Sequence, residues 1–240
     1  MKPQVLADYE ALSRRGADLM IESLRAKPNA IYCLAAGATP TRTYALVAEH
    51  YPREPGLFDQ VRVLKLDEWG GLAMDEPASC EQFLQQTIAE PLGLRDRYVA
   101  FDGQTADPTA EAKRIAGWLQ EHGPIDLCVL GLGVNGHLGF NEPGPHLVPH
   151  AHVAKLAAES LNHAMLNQVR SRPTFGLTLG MADLLQARQV LLLVSGSAKS
   201  EQLHTLLRGE ISTRFPASLL WLHPNFTLLC DVQAMYEQHR

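Results

Sequence analysis

Short, unbroken apolar runs recur along the chain, separated by longer stretches whose apolar residues return every three or four positions. The first pattern predicts strands buried on both faces, and the second predicts helices that bury one stripe. Residues 8–26 form such an amphipathic stretch, ending before Lys27-Pro28. The run 30–36 (AIYCLAA) is a strand closing at Gly37. Thr39-Pro40-Thr41 opens a helix reaching about residue 50, with Pro40 suited to a first turn. A second strand, 61–66 (VRVLKL), stops at Asp67-Glu68-Trp69. Helices are predicted over 79–90 and 109–121, the latter with Ala112, Ile115 and Leu119 on one face. Residues 125–133 are the clearest buried strand. Further strands are expected over 151–156, 174–179, 189–195, 218–222 and 226–230, with helices over 158–169 and 197–208.

Buried strands alternating with helices predict an α/β fold: a mostly parallel, doubly wound, Rossmann-like sheet with helices on both faces. No repeat or long linker interrupts the pattern, so residues 1–240 are read as a single domain. Ligands of such sheets bind outside the carboxyl ends of the strands. The segments found there are Gly-Ala-Thr-Pro, Asp-Glu-Trp, Gly-Val-Asn-Gly-His and Ser-Gly-Ser-Ala-Lys.

Composition narrows the classes. A net charge of −5 without a basic run argues against nucleic acid as a partner, since such proteins carry a basic stripe. No apolar run approaches the roughly 20 residues of a membrane helix, and residues 1–20 lack the apolar core of a signal peptide. Cys33, Cys80, Cys128 and Cys230 are widely spaced and match no metal pattern. Three lie in strand-like runs, so all are expected to be reduced, buried thiols of a cytoplasmic protein.

Four segments carry candidate chemistry. Gly37-Ala38-Thr39-Pro40-Thr41 turns a strand into a helix whose free N–H groups suit a phosphate; the same residues also make an ordinary turn with a threonine cap. Asp67-Glu68 places a carboxylate at a strand end, where it is either a general base or, as residues alone favour, a solvated acidic turn. Residues 131–143 contain G-x-G-x-x-G, but Gly139, Pro143 and Pro145 follow too soon for the long helix of a dinucleotide site. What the segment does present is His137, with Glu142 five residues on to orient it. Ser195-Gly196-Ser197-Ala198-Lys199 sets a lysine in the first turn of a helix, again suited to an anion. His146, His150 and His152 form no metal motif, and Arg170 and Arg172 precede Pro173 in an expected loop.

Taken in order, Gly37 to Pro40, Leu66 to Trp69, Gly131 to Pro143 and Ser195 to Lys199 resemble the glucosamine-6-phosphate deaminase/isomerase family over nearly the whole chain. The wording NGHLGFNEPG, LDEW and ASLLWLH is similar to the galactosamine-6-phosphate branch. The resemblance implies an enzyme, a hydrolase as well as an isomerase and deaminase, acting on a small sugar phosphate with no metal or organic cofactor. It implies Asp67 as the base moving a proton between C2 and C1. It also implies His137 with Glu142 as the ring-opening pair, and Asn135 beside them where some members carry aspartate. Gly37, Ala38, Thr39, Gly136 and Lys199 match substrate- and phosphate-binding elements. An arginine of some members is replaced near Leu166, so Arg170 or Arg172 substitutes for it, or phosphate is held with one cation fewer. His163 and Arg172 are polar candidates for reading the C4 epimer. The chain ends at Arg240 without the longer tail of regulated members, and a monomer or small homo-oligomer without allosteric control is expected. Two rivals are a 6-phosphogluconolactonase, whose motif lacks Phe140-Asn141-Glu142-Pro143, and a sugar-phosphate sensor, which needs a DNA-binding segment that residues 1–29 leave no room for.

Overall fold

The computed structural model describes residues 2–236 except 163, 164, 167, 168, 170 and 171. The first half runs β1 (Gln4–Leu6), α1 (Tyr9–Ala26), β2 (Ile31–Leu34), α2 (Ala38–His50), β3 (Arg62–Lys65), β4 (Asp67–Gly70), α3 (Cys80–Leu84), β5 (Tyr98–Val99) and α4 (Pro108–His122). The second half runs β6 (Leu127–Gly131), β7 (His152–Ala154), α5 (Ala158–Leu161), β8 (Phe175–Thr178), α6 (Met181–Leu185), β9 (Val190–Val194), α7 (Ser200–Leu207), β10 (Phe226–Asp231) and α8 (Val232–Tyr236). Helix starts follow local chemistry. Asp8 and Asp107 cap α1 and α4 by accepting the N–H groups of Ala11 and Ala110, at 2.8 and 2.9 Å.

Seven strands make one parallel sheet in the order β1-β10-β9-β6-β2-β3-β5. Their two-residue period deals side chains to two cores. Cys33, Leu64, Cys128, Leu130 and Leu192 face one; Tyr32, Leu34, Val63, Val129 and Leu191 face the other. With both faces dry, the strands carry unbroken apolar runs rather than alternation. All four cysteines are free and buried. The winding reverses between β2 and β6. From β2 the chain steps outward through β3 and β5, and from β6 the other way through β9 and β10. At such a reversal the loops leaving the two strands part and open a crevice.

A separate antiparallel sheet, β4-β8-β7, covers residues the sequence presents differently. The solvated acidic turn expected at Asp67-Glu68 is corrected: both residues lie on β4, opposite Thr178 and Leu177, and are 9% and 1% exposed. The strand expected over 218–222 is a 3-10 helix, Pro216–Leu222. Pro216 starts it, and Ala217 and Leu220 bury the same stripe at a spacing of three. The helix expected over 158–169 is helical from Ala158 to Leu161, and part of the remainder lies outside the described residues. The helix over 79–90 continues past α3 as a π-helical turn, Gln85–Ala89.

Candidate active site

The crevice between β2 and β6 is a cleft lined by Ala36 to Thr39 after β2, by Asp67 and Trp69 of β4, and by Leu132 to Val134 and His137 after β6. Glu159 and Ser160 of α5 and Lys199 before α7 complete its polar lining. Trp69 and Phe140 form an aromatic wall, their ring centroids 4.5 Å apart and tilted by 55°.

His137 is held from behind. Glu142 Oε2 lies 3.2 Å from its Nδ1 and accepts the Asn135 Nδ2–H at 3.0 Å. Glu142 Oε1 accepts from the Ser160 hydroxyl and, at 3.3 Å, from the Ala157 N–H. Asn135 Oδ1 in turn accepts the His137 backbone N–H at 3.1 Å. Burial pushes the Glu142 carboxyl up, but the hydrogen bond and charge of His137, helped by Ser160 and Asn135, outweigh it and hold the group at about 2. An ionised carboxylate can only accept, so it selects the ring form with hydrogen on Nδ1. In the neutral ring that leaves Nε2 with the lone pair. Backbone geometry makes the arrangement possible: a side chain at Gly133 would come within 2.2 Å of the imidazole.

Asp67 lines the same cleft from β4, with different chemistry. Burial pushes its carboxyl up to about 7, the neighbouring Glu68 charge adds to this, and Lys65 opposes it. A carboxyl titrating near neutrality can both take and return a proton at working pH. Behind it, Lys65 Nζ donates to Glu68 Oε2 at 2.6 Å and to Glu81 Oε2 at 2.7 Å, fully out of solvent.

The third corner suits an anion. Gly37 caps α2 without a side-chain bond, leaving the first-turn N–H groups open. Among the described residues Lys199 has no acceptor, and burial lowers its pKa. An unpaired, partly desolvated ammonium beside a helix N-terminus favours a phosphate-sized dianion.

Sequence and structure part company at several residues. Asp67, His137, Gly37, Ala38, Thr39 and Lys199 are brought to one cleft. Asn135 and Glu142 are not in its lining; both hydrogen-bond to His137, and Asn135 also to Glu142. Gly136 is not in the lining either. Its φ is +83°, its carbonyl accepts the Ala217 N–H at 2.9 Å, and a Cβ there would stand 2.3 Å from the Phe215 ring, so it shapes the turn that carries His137. Gly136→Ala is accordingly expected to lose about 1–3 kcal/mol of stability; a urea midpoint equal to the parent's would contradict this. Arg172 is not in the lining; exposed, it donates at 3.1 Å to the carbonyl of Leu161, the residue after Ser160 of the cleft. Arg170 and His163 lie outside the described residues. Three contributors are not legible in the sequence. Ser160 and Glu159 have no motif around them, and Lys65 sits inside an apparent β-run.

A profile of the glucosamine-6-phosphate isomerase/6-phosphogluconolactonase family matches residues 7–228. AgaI of Escherichia coli K12, named as a candidate deaminase, is 44% identical over 95% of this chain and 91% of its own. A monomeric glucosamine-6-phosphate deaminase superposes with a TM-score of 0.92 at 34% identity, covering 98% of both chains. The 6-phosphogluconolactonase of Trypanosoma brucei shares the fold, with a TM-score of 0.76 at 20% identity over 97% of each chain. The hydrolase class expected from the sequence is overturned by the names of the nearer relatives, which are those of deaminases. No helix among the described residues is long and apolar enough to cross a membrane. Matched over more than nine-tenths of its length, the chain belongs to the glucosamine-6-phosphate isomerase/6-phosphogluconolactonase family.

Proposed function

We propose that this chain is an enzyme that isomerises and deaminates a hexosamine 6-phosphate, with galactosamine 6-phosphate preferred and glucosamine 6-phosphate the alternative. The products are ammonia and tagatose 6-phosphate or fructose 6-phosphate. One observation carries the reading: a buried carboxyl titrating near neutrality, an oriented histidine and an unpaired lysine line the same cleft. His137 moves a proton from the anomeric hydroxyl to the ring oxygen and opens the sugar. Asp67 then takes the C2 proton, made acidic by the exposed C1 carbonyl, and returns it at C1. The resulting C2 imine takes up water and releases ammonia. Lys199 and the first turn of α2 hold the phosphate, and the Trp69–Phe140 wall meets the apolar face of the sugar. The chain works as one domain, a monomer or small homo-oligomer, in the cytoplasm, the setting that suits four free, buried thiols.

The test is parallel measurement of ammonia release from both epimers under identical conditions, with 6-phosphogluconolactone as a third substrate. Release from either amino sugar is expected, with a higher kcat/KM for the galactose epimer. Lactone hydrolysis without ammonia release overturns the reading, and a ratio favouring the glucose epimer removes only the preference. Lys199→Ala should raise KM about ten- to a hundred-fold, as loss of a charge-assisted contact does. That increase should vanish for sugars lacking the 6-phosphate; an unchanged KM would remove the lysine from the phosphate site.

A further inference from the structure

Behind Asp67 lies an ionic cluster to which the proposed reaction gives no task. Lys65, 0% exposed, is shared by two carboxylates from different elements, Glu68 of β4 and Glu81 of α3. Each of the four carboxylate oxygens accepts at least one hydrogen bond. Glu68 Oε1 accepts the Trp69 and Cys80 N–H groups at 2.8 and 3.0 Å, and Oε2 accepts the Glu81 N–H at 2.8 Å. Glu81 Oε2 also takes the Tyr98 hydroxyl at 3.0 Å, and Oε1 takes the Gln85 amide at 2.8 Å. Burying three charges is costly, and apolar side chains of similar volume would fill the space at least as well. Stability alone is a poor reason for such a cluster.

Its net charge supplies a better one. One ammonium between two carboxylates leaves one negative charge in a dry wall, and Glu68 is bonded in sequence to Asp67. Cys33 of β2, Tyr44 of α2 and Cys80 of α3 feel the Asp67 charge but are kept neutral mainly by burial, so they add no charge of their own. The other charged or titratable side chains lining the cleft are His137, Lys199 and Glu159. Within its own wall, therefore, Glu68 opposes and Lys65 favours ionisation of Asp67, and Glu81 bears on it through the lysine it shares.

We propose that the triad Lys65–Glu68–Glu81 positions Asp67 and sets the pH range over which it serves as the base. The inference rests on Asp67 being the base of the proposed reaction. Glu68 holds β4 to α3 through the Trp69, Cys80 and Glu81 N–H groups, which fixes the backbone carrying Asp67. The unbalanced negative charge adds to the burial that already raises the Asp67 carboxyl, and together they make it basic enough to take a carbon-bound proton. Glu81, at the far side of the lysine, decides how much of that charge remains. Its neighbour Gln85 lies on the π-helical turn at the rim of the cluster.

The experiment is the pH dependence of kcat/KM for ammonia release. Glu81→Gln keeps the hydrogen bonds, because its amide oxygen still accepts from Lys65 and Tyr98 while its NH2 turns to a flipped Gln85, but it removes one negative charge. The acid limb should move down by about half to one pH unit. Gln85→Lys, at the partly exposed rim, donates to the same Glu81 oxygen and adds a positive charge; it should move the limb the same way. Tyr98→Phe removes a hydrogen bond without changing charge and should leave the limb in place. An acid limb unmoved in both charge variants overturns the inference, as does an equal displacement in Tyr98→Phe. Failure of the underlying reading looks different: Asp67→Asn would then retain hydrogen exchange at the sugar, whatever the triad variants do.

Discussion

Asp67→Asn is expected to fold, bind substrate and lose about 10²–10⁴-fold in turnover, the range a positioned general base supplies. The amide keeps the shape of the side chain but cannot accept the C2 proton. Folding is expected to survive because Asp67 makes its strand pairing with Thr178 through the backbone, and because removing a carboxylate from a desolvated wall removes a cost rather than a support. The pH dependence follows from the same burial. With the carboxyl pushed up from 3.8 to about 7, the working carboxylate accumulates as pH rises through neutrality. The parent enzyme should therefore gain activity across that range and lose it below. Two measurements check the assignment: calorimetric binding of the sugar phosphate to the variant, and entry of solvent deuterium at C1 of the ketose product. Deuterium entering at the parent's rate would sink Asp67 as the base, and lost binding would mean that its role is to hold substrate.

The parts of this arrangement that could be read from sequence are those governed by local rules. Strands such as β2, β6 and β9 are buried on both faces, so their apolar runs stand out without any partner in view. The loops at their carboxyl ends follow from the handedness of parallel crossovers, and His137, Lys199 and the Gly37 turn were legible for that reason. The second sheet was not. Asp67-Glu68-Trp69-Gly70 is a strand because Phe175 to Thr178 lies beside it, more than a hundred residues away. Two adjacent acids otherwise read as a turn. Their burial depends on Lys65 and on backbone donors of α3, partners that no local window contains. Gly136 is a similar case. A glycine in a histidine-bearing motif suggests ligand approach, and only the structure shows that its α-carbon also packs against the Phe215 ring. Ser160 shows the same limit from the other side: its hydroxyl completes the coordination of Glu142, yet nothing around it marks it out.

The second large effect is expected at His137. His137→Gln should lower turnover of the cyclic amino sugar by about 10²–10⁴-fold while sparing the proton transfer at carbon. The distinction rests on how the pair is wired. Glu142 receives the Asn135 amide and the imidazole on one oxygen, and Ser160 and the Ala157 N–H on the other. Fully used and held at about 2, it has no proton to give, so it orients the ring and the exchangeable proton belongs to His137. Asp67 contacts neither residue through any described hydrogen bond and is carried by a different element, β4. Ring opening and carbon exchange are therefore expected to depend on different groups. A ketose 6-phosphate supplied with ammonia in deuterium oxide enters the sequence from the far end and spends more of its time open than an aldose does. Exchange at its C1 should fall less than about tenfold in the variant, well below the loss of a full general base. An equal fall in both measurements would place His137 at the carbon step and leave ring opening without its catalyst, whereas a fall in exchange alone would reverse the roles of His137 and Asp67.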